Sequence, residues 1–473
     1  MQRHALRLTN ALLCICITLF PCAASAQAPD TIRVRLETAV RHALEVSPEI
    51  NAVASNLDFA QAREQLARAS RFATEFSLQT AHAAAPGLRN LPSGVSEDNL
   101  YLYPGVRNDW ESLRPLNRFE TSLVQPLYTW GALQGNIEAA RQGVRLEEAS
   151  VGKKKIEIAL RTGTLYYNLL LAKQLVTLTE QAGEIVEQAK TEIDRLLEEG
   201  AEDVDDADLF KVRITEQEFL RRVVEVEQGL RTAQSALARQ MMLPGATTPE
   251  PEEIVLEPMP FVLDSLDTYL RIALEHRPEI GQAAAGLAAR EAQIKVARAD
   301  YFPQLFLGID SRITLTSGRF RQPNPYVNDP YMGRSLRAGI GLRLPLNMAQ
   351  TRARVAQAKA ERNEVHHQLA AARQLILFEV EAAWRNVITA RAAMEAQREA
   401  LTISGEWLRT EQINFDLDLG DTENLVDAVR ANLALRATYY ERVRAFNVAV
   451  LRLWAETGWA GPGPPALSGV LPE

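Results

Sequence analysis

The sequence predicts a mainly α-helical protein with a small membrane β portion. Its fold class is long antiparallel coiled-coil hairpins combined with four β-strands per chain. Three observations carry this prediction. One unit occurs twice along the chain, each copy holds a very long proline-free helical stretch, and two segments in each copy alternate apolar and polar residues.

The duplication is visible at the level of identical residues. Residues 36–50 recur as residues 266–280, with matching residues at one constant offset of 230 positions. We therefore divide the chain into a first repeat at 27–243, a proline-rich linker at 244–263, a second repeat at 264–458 and a tail at 459–473. Each repeat opens with a helix, continues through two strands and ends in a helical hairpin.

The first 26 residues have the features of a secretory signal peptide. Basic residues precede an apolar run that is too short to span a membrane, and small residues follow at Ala24 to Ala26. All three cysteines lie in this segment, at Cys14, Cys16 and Cys22. A mature chain would then have no thiol chemistry and no cysteine metal site. Lipidation at Cys22 is a less favoured alternative, because bulky residues precede it.

The helical hairpins are predicted at 132–243 and 349–457. Apolar residues recur there at steps of three and four, and proline is absent from 132–199 and 349–419. A glycine interrupts each stretch, at Gly200 and Gly420, and a second helix follows it. A helix of about 68 residues would be about 100 Å long.

Four strands are predicted at about 71–81, 117–128, 303–316 and 334–346. Each alternates apolar with polar or glycine residues, which is the pattern of a membrane barrel strand. The face with Leu305, Leu307, Ile309, Ile340 and Leu342 should meet lipid, and Arg312 and Arg343 should point inward. A hairpin on a soluble core is the alternative. Four strands cannot close a barrel, so membrane insertion would require several copies of the chain.

These features together resemble the TolC-type outer-membrane efflux proteins. The repeat openings at 36–50 and 266–280, the strand exit at 125–131 and the segment 166–173 are similar to motifs of that family. The resemblance implies a homotrimer with a 12-stranded β-barrel and an α-helical tunnel. It also implies that the protein lies in the outer membrane of a Gram-negative bacterium, in contact with outer-membrane lipid, and extends into the periplasm.

The resemblance further implies an exit duct in a tripartite efflux or type I secretion system. Its partners would be a periplasmic membrane-fusion adaptor and an inner-membrane transporter of the resistance-nodulation-division, ABC or similar class. The adaptor would dock at the hairpin tips, at Gly200, Ala201, Gly420 and Asp421. In the family, acidic residues after the second turn constrict the pore. The constriction is accordingly predicted at Asp427, Arg430 and Asp421 after the second turn, where Arg430 replaces the second of two family aspartates, and at Asp206 and Asp208 of the acidic first tip.

Other classes of function receive less support from the sequence. The net charge of −8 argues against nucleic acid as a partner. No catalytic motif is present, and His366 and His367 are adjacent, so they would point to different faces of a helix and could not share a metal. We therefore expect no enzyme activity, cofactor or metal. A periplasmic coiled-coil adaptor or a structural protein remains the alternative function.

Overall fold

The computed structural model describes residues 30–72, 75–91, 93, 107–199, 206–245, 247–320, 329–417, 422–459 and 461. The predicted signal peptide at 1–26, its Cys22, and nearly all of the predicted tail lie outside the described residues. Within the described part of the chain, no helix is both long and apolar enough to cross a membrane.

The elements alternate between helices and strands in the same way in both repeats. The first repeat contains β1 (Asp30–Val34), α1 (Leu36–Val46), α2 (Pro48–Ala69), β2 (Glu75–Arg89), β3 (Arg107–Tyr128), α3 (Ala132–Glu199) and α4 (Asp206–Gln240). The linker contains β4 (Thr247–Pro251). The second repeat contains α5 (Leu266–His276), α6 (Pro278–Ala299), β5 (Gln304–Thr316), β6 (Gly333–Arg343), α7 (Met348–Asp416) and α8 (Thr422–Glu456).

The duplication in the sequence is also a duplication of structure. Helices α1 and α5 both have 11 residues, α2 and α6 both have 22, and α4 and α8 both have 35. The opening helix of each repeat is broken in two before a proline, Pro48 or Pro278. The residue before proline is forced into extended backbone, while proline itself suits the first turn of a helix.

The strands and the helices beside them follow one lateral order. The four-stranded antiparallel sheet has the order β2-β3-β5-β6. Helix α2 packs on α3, α3 on α6, and α6 on α7. These four helices form a row with the order α2-α3-α6-α7. Each helix of this helical row is joined in sequence to one strand of the sheet: α2 to β2, α3 to β3, α6 to β5 and α7 to β6. The sheet and the helical row therefore have their free edges on the same sides of the molecule, β2 above α2 on one side and β6 above α7 on the other.

The two long hairpins form the other end of the molecule. Helix α3 packs against α4, α7 packs against α8, and a contact between α3 and α8 joins the two pairs. The main apolar core lies at the waist, where α4 and α8 end and the short helices α1 and α5 pack. Its largest fully buried side chains include Tyr166, Tyr269, Leu169, Leu237 and Leu453. The predicted helical hairpins and four-stranded sheet of the fold class are confirmed.

The first hairpin of the sheet is longer than its sequence pattern indicated. Strands β2 and β3 pair as far as Arg89 and Arg107, whereas the alternating pattern covered only about 71–81 and 117–128. The run from Ala83 to Gly87 has the composition of a loop, but it pairs with β3 through a bulge between Pro86 and Gly87. A bulge accommodates proline and glycine within a strand, so composition alone misses this extension.

The linker also contains regular structure that the sequence did not indicate. Strand β4 pairs in parallel with β1, so residues near the two ends of the first repeat meet at the waist. Side chains from the long helices then hold the rest of the linker. Asn447 accepts from the Met259 amide and donates to the Glu257 carbonyl, and Trp384 donates to the Asp264 carbonyl.

Candidate membrane face, channel wall and entrance

The register of the sheet sorts its side chains into two faces of opposite character. Directly opposed residues share a face in an antiparallel sheet, and the pairs Phe76–Leu123, Leu123–Ile309 and Leu307–Ile340 therefore fall on one side. Large apolar side chains of that side are exposed in the single chain: Phe76 at 69%, Leu78 at 64%, Leu336 at 73%, Ile340 at 69% and Leu342 at 69%. A patch of this kind needs an apolar surrounding.

The opposite face of the sheet is polar and charged. Glu120 accepts from Arg312 at 2.7 Å, and Arg118 lies 3.9 Å from the same carboxylate. Arg343 stacks over Phe306 at 5.2 Å. Both arginines expected to point inward, Arg312 and Arg343, thus share the face opposite the apolar patch. This face has the character of the wall of a water-filled channel.

An aromatic cluster marks the junction between the sheet and the helices. Tyr128 pairs with Leu305 in the register and so lies on the apolar face. Its ring contacts Trp130 at 4.9 Å, and Trp130 stacks on Phe302 at 4.7 Å. The Trp130 indole also donates to the Pro303 carbonyl at 2.9 Å. Tyrosine and tryptophan at this boundary are typical of a membrane–water interface.

A buried arginine holds the far end of the sheet together. Arg319 binds both carboxylate oxygens of Asp329, at 2.9 and 3.0 Å, and donates to the carbonyls of Pro86 and Gly87. It also donates to the Asn108 side chain at 2.9 Å. The residues around the β5–β6 turn are thereby tied to the tip of the β2–β3 hairpin.

A second buried arginine holds the waist. The Arg277 side chain is 9% exposed and meets three carboxylates, those of Glu279 at 3.1 Å, Glu379 at 2.6 Å and Glu456. These groups belong to α6, α7 and α8. Arg277 stands where the first repeat has Ser47, which caps α2. Neither buried arginine was predicted from the sequence. The one signal that pointed to either was the difference between the repeats at equivalent positions, where Ser47 in the first becomes Arg277 in the second.

A buried tyrosine fixes β1 to the linker at the same level. The Tyr166 hydroxyl contacts the Val34 carbonyl at 3.3 Å and the Glu253 carboxylate. Burial, and then the hydrogen bond to Glu253, raise the pKa of this hydroxyl above its usual value. It therefore stays protonated and acts as a donor.

Those predicted entrance residues that the structure describes lie at the end of the molecule far from the sheet. Asp427 and Arg430 occupy the first turns of α8, and both are exposed, whereas Ala428 between them is fully buried. They are one helical turn apart and therefore share the side of α8 turned away from Ala428. Asp206 and Asp208 begin α4, and their side chains are outside the described part. Gly200, Ala201, Gly420 and Asp421 lie outside the described residues.

A polar network sets the register of the helices just behind this end. The buried Asn432 of α8 donates to the Ser404 hydroxyl of α7 at 3.0 Å. Arg436, one turn further, donates to Asn432 at 3.4 Å and to Gln181 of α3 at 3.3 Å. The two hairpins are thus connected by hydrogen bonds as well as by apolar packing. Within the described residues, no group of three or more histidine, cysteine or acidic side chains is placed to hold a metal.

Comparison with known proteins agrees with this arrangement. The family model for outer membrane efflux proteins matches residues 269–447. The predicted resemblance to the TolC-type outer membrane efflux proteins is therefore confirmed over these residues. Protein CyaE of Bordetella pertussis is 26% identical over 453 residues, which cover 93% of this chain and 87% of CyaE.

Solved structures of outer-membrane proteins share the fold of this chain. The open state of the MtrE outer membrane channel of Neisseria gonorrhoeae superposes with a TM-score of 0.71 at 16% identity, covering 90% of this chain and 89% of MtrE. The outer membrane protein VceC of Vibrio cholerae gives a TM-score of 0.67 at 16% identity, covering 89% of this chain and 96% of VceC. This shared fold, together with the family-model match and the likeness to CyaE, confirms the predicted role of a channel in the outer membrane of a Gram-negative bacterium that extends into the periplasm.

Proposed function

We propose that three copies of this efflux protein close side by side into one exit duct. The observation that carries the proposal is the shared lateral order of strands and helices. The sheet ends at β2 and β6, and the helical row ends at α2 and α7 on the same sides. An open sheet edge is not stable in lipid, so β6 of one copy would pair with β2 of the next. Three copies give twelve strands.

The free edge of the helical row supports this closure. Only Ile50 of α2 is buried, and it lies on the side that packs against α3. Phe59 and Leu66, two turns apart on the opposite side, are 64% and 70% exposed. Large apolar side chains on a regular stripe of an exposed helix indicate a protein contact.

The outer edge of the lower hairpins has the same character. Phe210, Ile214, Leu220 and Val224 of α4 are between 50% and 62% exposed. They lie opposite the side of α4 that packs on α3, where Leu237 is fully buried. The adjoining copy would cover this stripe. The chain would then form a periplasmic tunnel of helices below a barrel of strands.

The duct would take cargo from a periplasmic adaptor and an inner-membrane transporter. A channel wall of charged and polar side chains passes solutes without a dedicated binding pocket, so we assign cargo choice to the transporter. We assign adaptor docking to the tips of the two hairpins, at Gly200, Ala201, Gly420 and Asp421, because the described ends of the long helices that adjoin them in sequence lie far from the sheet. We assign no enzyme activity to the chain.

Two neighbouring substitutions on α2 test the closure. Leu66→Glu places a charge on the free edge, whereas Gln65→Glu places the same charge about 100° around the helix, at another exposed position. We expect Leu66→Glu to yield folded monomer and Gln65→Glu to yield trimer. Native mass spectrometry in detergent measures the oligomer, and planar-bilayer conductance measures the open duct. Trimer formed equally by both variants, or by neither, would contradict this closure.

A further inference from the structure

A strongly basic groove runs between α6 and α7 just below the sheet. It is lined by Lys295 and Arg298 of α6 and by Lys359 and Arg362 of α7, with Glu291 as the one acidic residue. Glu291 lies 3.6 Å from Arg362. Among the described residues, the side chains of the other three cations make no hydrogen bond or close ion pair, although Glu138 is near enough to Lys295 to interact with its charge. Four cations against these two carboxylates leave the groove with an excess of positive charge.

The groove faces the same side as the apolar patch of the sheet. Glu291, Lys295 and Arg298 follow one another at steps of four and three residues, so they form one stripe on α6. Turn hydrogen bonds from Tyr301 to Arg298 and from Phe302 to Ala299 extend the helix, and Phe302 continues the stripe. Phe302 stacks on Trp130 in the aromatic cluster described above, which is joined through Tyr128 to the apolar face.

From this arrangement, we propose that the groove binds the headgroup of an anionic phospholipid of the periplasmic leaflet. The inference rests on the proposed placement of the apolar face in lipid. Moving away from the sheet, the surface then changes from apolar to aromatic and then to basic, which is the order of acyl chains, interface and phosphates in a leaflet. A basic pocket between helices at headgroup level is a suitable site for a phosphate diester.

Two simpler explanations account for the groove less well. A basic residue in the last turn stabilises a helix end, but this applies to Arg298 alone, because Lys359 and Arg362 are in the interior of α7. A second copy of the chain would not cover the groove either. Helices α6 and α7 are neighbours within one chain, and the free edge of the row lies on the far side of α7.

The test compares lipid binding by two doubly substituted full-length proteins. Lys295→Gln with Lys359→Gln removes two charges from the groove. Lys155→Gln with Arg409→Gln removes two exposed charges elsewhere on α3 and α7. Delipidated protein in detergent is titrated with phosphatidylglycerol and, separately, with phosphatidylethanolamine, and native mass spectrometry counts bound lipids.

We expect the unsubstituted trimer to prefer phosphatidylglycerol, and the groove variant to bind it at least about tenfold more weakly. The control variant should keep the preference. An unsubstituted trimer without a preference for phosphatidylglycerol, or equal loss in both variants, would overturn the inference. Displacement of the lipid by an equal concentration of inorganic phosphate would also overturn it, because the groove would then be a general anion site. The same spectra report the oligomer, so failure of trimer formation counts separately against the proposed duct.

Discussion

The orientation of the sheet makes opposite predictions for two adjacent residues of β2. Leu78 lies on the apolar face and is 64% exposed, whereas Gln79 lies on the polar face directly opposite Glu120. Leu78→Arg would put a charge into lipid, and Gln79→Arg would put the same charge into the channel beside a carboxylate. We expect the first substitution to weaken membrane assembly and the second to be tolerated.

The size of the effect follows from the depth of Leu78. It is three residues from the start of β2, or about 10 Å along the strand and about 8 Å into the apolar band at a tilt of about 40°. Arginine costs about 2–4 kcal/mol at mid-membrane and much less near the interface, so about 2 kcal/mol per chain is expected at this depth. Three copies in one trimer would lose about 6 kcal/mol.

Outer-membrane fractionation and a gel run with and without heating measure the assembled trimer. Urea titration of the protein in lipid vesicles then measures the free energy of unfolding for each variant. For Gln79→Arg we expect a change within about 1 kcal/mol, since the new charge is solvated and faces Glu120. Equal destabilisation by the two variants, or a larger effect of Gln79→Arg, would refute the assignment of the two faces.

Four further substitutions test the waist, the far end of the sheet and the entrance. Arg277→Met leaves three carboxylates close together at the waist and should lower the free energy of unfolding by about 3 kcal/mol, measured by urea titration. Arg319→Met should speed amide hydrogen exchange at the end of β2 without changing exchange in the helices. Arg430→Ala should raise the cation selectivity of the channel, and Asp427→Ala should lower it. Reversal potentials in a salt gradient measure this selectivity, and unchanged values in both variants would place the two residues away from the constriction.

Sequence periodicity was sufficient for the parts of the fold that repeat along the chain. The hairpins follow from steps of three and four over very long stretches, and the faces of β5 follow from strict alternation such as Leu305, Leu307 and Ile309. Both signals are local, because each residue is informative through its near neighbours. The helix break before Pro278 is also a local signal, because the proline alone favours extended backbone at the residue before it.

The remaining features depend on partners far along the chain. Strand β4 forms because it meets β1, more than 200 residues earlier in the sequence, and a segment with two prolines gives no local sign of a strand. Arg277 and Arg319 are ordinary arginines in the sequence, and only the fold surrounds them with acceptors. The entrance residues were predicted by aligning the second hairpin turn with the family pattern. The role of Asp427 in the constriction stays a prediction, because it depends on contacts between copies of the chain.

The duplication also predicts how two copies of the chain pair. Within one chain β3 of the first repeat pairs with β5 of the second, and Leu123 faces Ile309. Leu342 is equivalent to Leu123, because each lies on the apolar face three residues before a proline. Thr80 is equivalent to Ile309, because each lies five residues after the start of its strand. If the contact between copies repeats the contact within a chain, then Leu342 of one copy faces Thr80 of the next. All three cysteines lie in the predicted signal peptide at 1–26, so Leu342→Cys with Thr80→Cys in the mature chain should crosslink into covalent dimers and trimers on oxidation. Leu342→Cys with Gln79→Cys places the thiols on opposite faces and should stay uncrosslinked; the reverse result would show that the copies do not pair as the repeats do.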